Sequence, residues 1–146
     1  MTEKYKKADR YVTFVPFEEE THLFTDGGPN FTSTNEKILD YGGEAKTYEG
    51  QKYYQYTADT IEKLKFFTNA YDLYYEAVYK GERFKAGVYK SPQIVLFSND
   101  SSLGKKLNFT HVNKFEWEKI VDISEVEIIP VKEPIDLTKF LPSSNN

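Results

Sequence analysis

The chain has 146 residues, a net charge of −4, no cysteine, and 12 Tyr, 11 Phe and 1 Trp. That length predicts a single domain able to bury a core without cross-links, and the missing cysteines exclude disulfides, thiolate metal sites and cysteine nucleophiles. The lack of cystine favours a reducing compartment. With a charged start, "MTEKYKKADR", and no apolar run near the roughly 20 residues of a membrane helix, the expectation is a soluble cytoplasmic protein without a signal peptide.

Residues 1–10 are polar and predict a flexible N-terminus. "YVTFVPF", Tyr11–Phe17, is rich in β-branched and aromatic residues and reads as a first strand. Pro16 cannot donate to a ladder, so that strand lies at an edge or ends there. From the acidic run Glu18–Glu20 to Gly50 periodicity is weak, with one short helical turn at "NEKILDY", and the N-terminal third reads as long and irregular. "QKYYQY" is a short strand. In "TADTIEKLKFFTN" Thr57 or Asp59 is placed to cap a helix, with Glu62 completing a capping box. Ile61, Leu64 and Phe67 follow at helical spacing, which predicts the main helix of the chain.

From Tyr71 the period changes to two, and "VYKGERFKAGVYK" predicts a hairpin with a type II′ turn at Gly81-Glu82, the rival being a helix that runs on through Tyr71, Tyr75 and Val78. That turn sets Lys80 opposite Arg83, Tyr79 opposite Phe84, Ala77 opposite Ala86 and Tyr75 opposite Val88. The apolar pairs fall on one face. After the break at Ser91-Pro92, "QIVLFS" is a buried strand, "NDSSLGKK" a turn region, and "LNFTHV" and "EKIVDI" strands. "EVEIIPV" follows a slip in the alternation at Ser124-Glu125. Ile135, Leu137 and Phe140 pack before a flexible tail over 141–146. The expected fold is α+β: one domain over 11–140, a mostly antiparallel sheet with one main α-helix on one face.

Charge is unevenly spread. Residues 1–50 carry 6 basic and 10 acidic side chains, residues 51–110 carry 9 and 6, and residues 111–146 carry 4 and 7. The outer face of the hairpin gathers Tyr74, Val78, Lys80, Arg83, Lys85 and Tyr89. Cations interleaved with rings suit single-stranded nucleic acid, where charge meets phosphates and rings meet unstacked bases. The same pattern is also an ordinary solvated strand face whose lysines discourage aggregation. Around Trp117 lie Glu116, Glu118, Asp122, Glu125 and Glu127, an acidic surface suited to a basic patch of another protein. Against that, a lone Trp in a small domain usually fills the core.

His22 beside Glu18–Glu20 and Asp26 has imidazole and oxygen donors, but no spacing of an established metal motif. "HLFT" and "HVNK" fail the paired H-x-T/S spacing of two-histidine phosphoesterases, and His111 fits a sheet histidine. No phosphate-cradling glycine loop, dinucleotide fingerprint or nucleophile elbow is present. No cofactor and no catalysis are expected. The leading expectation is a non-catalytic interaction protein that binds and regulates or inhibits another macromolecule, foremost a protein, through Tyr74, Lys80, Arg83, Lys85, Tyr89, Glu116, Trp117 and Glu118. Its size and its use of Tyr, Lys, Asn and Phe would suit an accessory protein of an AT-rich bacterium, phage or plasmid. The alternatives are a single-strand nucleic-acid binder using the hairpin, and a hydrolase at His22 or His111.

Overall fold

Alternation of aromatic and β-branched residues with polar ones carries most of the chain into strands. A computed structural model describes residues 5–142. The flexible ends expected at 1–10 and 141–146 lie partly outside the described residues, and Asp9 and Arg10 already belong to the first strand. The strands are β1 (Asp9–Phe14), β2 (Glu19–His22), β3 (Asn30–Ser33), β4 (Glu44–Tyr48), β5 (Gln51–Thr57), β6 (Phe67–Tyr79), β7 (Glu82–Val88), β8 (Gln93–Ser98), β9 (Thr110–Asn113), β10 (Glu116–Asp122) and β11 (Glu127–Pro134). No helix among the described residues is long and apolar enough to cross a membrane.

The expected main α-helix is absent, and the fold is an antiparallel β architecture rather than α+β with a helix on one face. Residues 63–66 form one 3-10 turn, and Phe67 opens the 13-residue β6. Ile61, which should have led the apolar stripe, is 65% exposed, whereas Phe66 and Phe67 join a cluster of rings. A capping preference of about 1 kcal/mol does not outweigh burial of two phenylalanines at roughly 1.5–3 kcal/mol each. The single α-helix among the described residues, α1 (Ser101–Lys106), lies where a turn was expected. There the Asp100 carboxylate accepts from the Leu103 amide at 3.1 Å, capping the helix.

The N-terminal third is likewise not irregular. It holds β2, β3, β4 and the 3-10 helix Glu36–Tyr41, whose start is capped by Asn35 as the "NEKILDY" turn implied. β4 and β5 pair antiparallel with Tyr48 opposite Gln51, so Glu49-Gly50 is a two-residue turn. Both turn residues have positive φ, 49° and 78°, the type I′ geometry. The same grammar recurs at Tyr79-Lys80-Gly81-Glu82, where Lys80 and Gly81 have φ of 49° and 81°.

That turn corrects the predicted hairpin register. Tyr79 faces Glu82, Ala77 faces Phe84 and Tyr75 faces Ala86, with the turn at Lys80-Gly81 instead of Gly81-Glu82. The difference is a slip of two residues along one strand. Because the side-chain period is also two, the buried set keeps its face: Tyr75, Ala77, Tyr79 and Phe84 are all inside.

The described residues divide into two compact units. In the unit of residues 9–72 and 133–142, β1 lies between β2 and β6 in strand order, and β3, β5 and β4 form a separate three-stranded sheet. Its core is aromatic: Phe14 meets Phe17, Phe31, Tyr41, Tyr56, Phe66 and Phe67 at centroid distances of 5.0–6.2 Å. Arg10 Nε donates to Asp72 at 3.0 Å and Asn30 Nδ2 to the Gly28 carbonyl at 2.9 Å. Ile135 and Leu137, half-buried, pack on this core, and Phe140 lies under the Arg10 guanidinium, 5.4 Å from its ring centroid.

In the unit of residues 5–8 and 73–132, β7, β8, β10 and β9 follow β6 in that order, and β11 also pairs with β6. Ala77, Tyr79, Phe84, Ile94, Leu96, Phe109, Trp117 and Val121 form the core. The slip at Ser124-Glu125 is a 3-10 turn over Ile123–Glu125, closed by a capping box between Asp122 and Glu125. The Ser124 amide donates to Asp122 at 2.9 Å and holds that carboxyl below the usual carboxylate range, aided by the Ser124 side chain.

Candidate surface for partner binding

In this second unit β7 and β8 send Phe84, Ala86, Ile94 and Leu96 to the core, and Lys85, Gly87, Val95 and Phe97 take the opposite face, where Val95 is itself buried. Lys85 lies opposite Phe97, and Phe97 opposite Glu118, so cation, ring and carboxylate form one row across three strands. A neighbouring row runs Gly87–Val95–Ile120. Gly87 packs closely there: a Cβ would meet the Phe97 ring at 3.1 Å, so the ring would have to give by a few tenths of an ångström. At the edge of these rows Lys85, Phe97, Ser98, Asn99 and Glu116 line a hollow of about 490 Å³.

The charges of the hairpin are largely engaged. Arg83 Nε is hydrogen-bonded to Glu76. The Lys85 ammonium sits 5.2 Å from the centroid of the Tyr74 ring, and Lys80 sits 5.6 Å from that of Tyr79. Lys80 itself occupies the turn, and Tyr89 lies just past the end of β7. Neither lines the hollow. Of the residues singled out in the sequence, therefore, Lys85 and Glu116 meet at one hollow. Arg83 and Glu118 lie on strands that line it, Tyr74 is on β6, which does not, and Lys80 and Tyr89 stand apart.

Trp117 is not an exposed anchor. It is only 8% exposed, stacks on His111 at 4.3 Å with 9° between the planes, and packs so closely on Gly104 that a Cβ there would lie 2.8 Å from the ring. The exposed ring of this region is Phe115, 71% accessible in the turn between β9 and β10. That turn is built by Asn113, whose side-chain oxygen accepts from the Phe115 amide at 3.0 Å while its amide donates to Glu116 at 3.1 Å. Sequence reasoning missed Phe115, Phe97, Ser98 and Asn99. The available signal was the "NKFE" turn: a Phe one residue outside a strand has no inward side to take.

The histidines have local roles in separate units. His22 lies 3.2 Å from the Asp9 carboxylate and its ring packs on Tyr11, while His111 covers Trp117. No group of three or more His, Cys, Asp or Glu among the described residues is arranged to hold a metal.

The chain belongs to the family described as Uncharacterised conserved protein UCP033725, whose profile matches residues 20–138. No curated protein and no solved structure matches it.

Proposed function

We propose that the protein is a non-catalytic binding protein that docks on another protein, and thereby regulates or blocks it, through the β9–β10 turn and the adjoining hollow. The observation that carries this reading is Phe115. A large ring held out to solvent by a dedicated Asn113 turn has the Lys114 ammonium 5.4 Å from its centroid and no ring partner among the described residues, and an aromatic anchor beside mixed charge is what a polar protein interface uses at its centre. Lys85 on one side of the hollow and Glu116 on the other would set orientation more than affinity. The nucleic-acid alternative is weakened by the engagement of Arg83 with Glu76 and of Lys85 with Tyr74, which leaves the hairpin without a continuous track of cations for phosphates.

The test is affinity capture from source-cell lysate, with and without nuclease, by the native chain and by the double variant Phe115→Ser, Glu116→Lys. Phe115 is in the exposed turn, whereas Glu116 opens β10 and accepts from Asn113 at 3.1 Å, so Phe115→Ser alone is carried alongside, and its melting temperature should stay near that of the parent. A stoichiometric protein that survives nuclease and is lost from the variants is the expected result. Equal capture by all the chains, or a partner set that disappears with nuclease, would overturn the proposal.

A further inference from the structure

The unit of residues 9–72 and 133–142 carries a different kind of hollow. On its three-stranded sheet β5 sends Tyr54 and Tyr56 into the ring core, so Gln51, Tyr53 and Gln55 face the opposite way. Register sets Tyr48 beside Gln51 and Lys46 beside Tyr53. Phe24, Thr32, Tyr48, Glu49, Gln51 and Tyr53 line an open groove of about 570 Å³. Phe24 is 54% exposed and Tyr48 67%.

Rings used for packing in this unit touch several others, as Phe14 does. Among the described residues Phe24, Tyr48 and Tyr53 have neither a ring nor a cation partner. Glu49, placed at the lip by the type I′ turn, has no ion pair among those residues. The cation nearest in register, Lys46, is held by Glu44 at 3.4 Å and does not line the groove. The lining therefore offers three aromatic side chains, one carboxylate and no positive charge. A phosphate-bearing ligand would meet a carboxylate and no cation in that lining. A purely apolar ligand would gain nothing from Glu49. A positively charged head with low hydration gains from both, because ring quadrupoles and the carboxylate attract the same sign of charge.

We propose that this groove binds a small organic cation of the quaternary ammonium class. The rings contact its alkylated nitrogen, Glu49 supplies the counter-charge, and Gln51 and Thr32 offer hydrogen bonds to a polar tail. The volume falls in the range of small-molecule sites, roughly 300–1,000 Å³. The site is independent of the docking surface proposed above and stands if that proposal fails.

The experiment is a two-dimensional NMR titration of the isotope-labelled full chain with choline chloride. Parallel titrations use its neutral isostere, in which carbon replaces nitrogen, at matched ionic strength. Choline should shift the amides of Phe24, Glu49, Gly50, Gln51 and Tyr53 saturably. The isostere should bind roughly five- to tenfold more weakly, the share expected for the charge-dependent part. Tyr48→Ala should abolish the shifts and Glu49→Gln should weaken them, both with unchanged melting temperature. Equal binding of the isostere, or no saturation at those amides, would overturn the proposal. So would saturation by a trimethyl-lysine peptide where choline gives none, since the ligand would then be a macromolecule.

Discussion

Gly104→Ala sets two effects of opposite sign against each other. Alanine is favoured over glycine inside a helix by about 1 kcal/mol, so propensity alone predicts that α1 becomes more stable. Position 104 is not an open surface site, however. A Cβ there would lie 2.8 Å from Cδ2, 2.9 Å from Cγ and 3.0 Å from Cε3 of Trp117. These atoms belong to the body of a buried ring that is stacked on His111, and they cannot swing aside as the end of a flexible side chain would. Adding a methyl group to a filled core costs about 1–3 kcal/mol. The overlap outweighs the propensity, and a net loss of about 1 kcal/mol is expected, or a fall of roughly 2–4 °C in melting temperature for a chain of this size. Thermal unfolding followed by circular dichroism reads the stability. Emission from the one tryptophan reads displacement of the ring, and it should shift in the variant. A melting temperature that rises, with tryptophan emission unchanged, would refute the reasoning.

Phe14→Ala should be the most damaging single truncation in its unit. Phe14 is fully buried among six rings, and the loss expected for such a site is about 3–5 kcal/mol, read by denaturant unfolding. Tyr56 links stability to alkaline pH. Burial first and Asp59 second push its pKa from 10.0 up to about 12, so the folded chain keeps a proton that the unfolded chain gives up. That contribution, on the order of 3 kcal/mol, is fully present below pH 10 and lost as pH rises through about 12. Tyr56→Phe should therefore flatten the alkaline limb of a melting-temperature profile. Below pH 10 it should cost about 1 kcal/mol, for the bond to the Lys63 carbonyl. Lys80→Asn should stabilise the hairpin by roughly 0.5 kcal/mol, because Asn accepts the left-handed φ of 49° more readily than Lys does. Lys80→Val should lower the melting temperature.

Much of the strand content was legible because alternation is a local property. "QIVLFS" is β8 to the residue, "QKYYQY" lies within β5, and the slip at Ser124-Glu125 marks a real turn. Even the hairpin with the wrong turn buried the right residues, since a two-residue slip leaves the faces of a pleated strand unchanged. The repeated Tyr-X-Gly-X of Tyr48–Gln51 and Tyr79–Glu82 was a signal for two like turns, masked because neither Glu nor Lys advertises a left-handed backbone. The candidate surfaces were much less legible. Lys85 and Glu116 read as parts of two opposed charge patches, and only the strand order β7-β8-β10 brings them to one hollow.

The sequence alone determined composition, the absence of thiol chemistry, and which residues of each strand share a face, all of which follow from residue type and a period of two. Tertiary structure decided whether residues 57–69 would be helix, which of Phe115 and Trp117 would be buried, and which rings would be left without partners. Each of those outcomes depends on contacts between residues distant in the chain. Their burial terms exceed the local preferences of about 1 kcal/mol that a sequence displays.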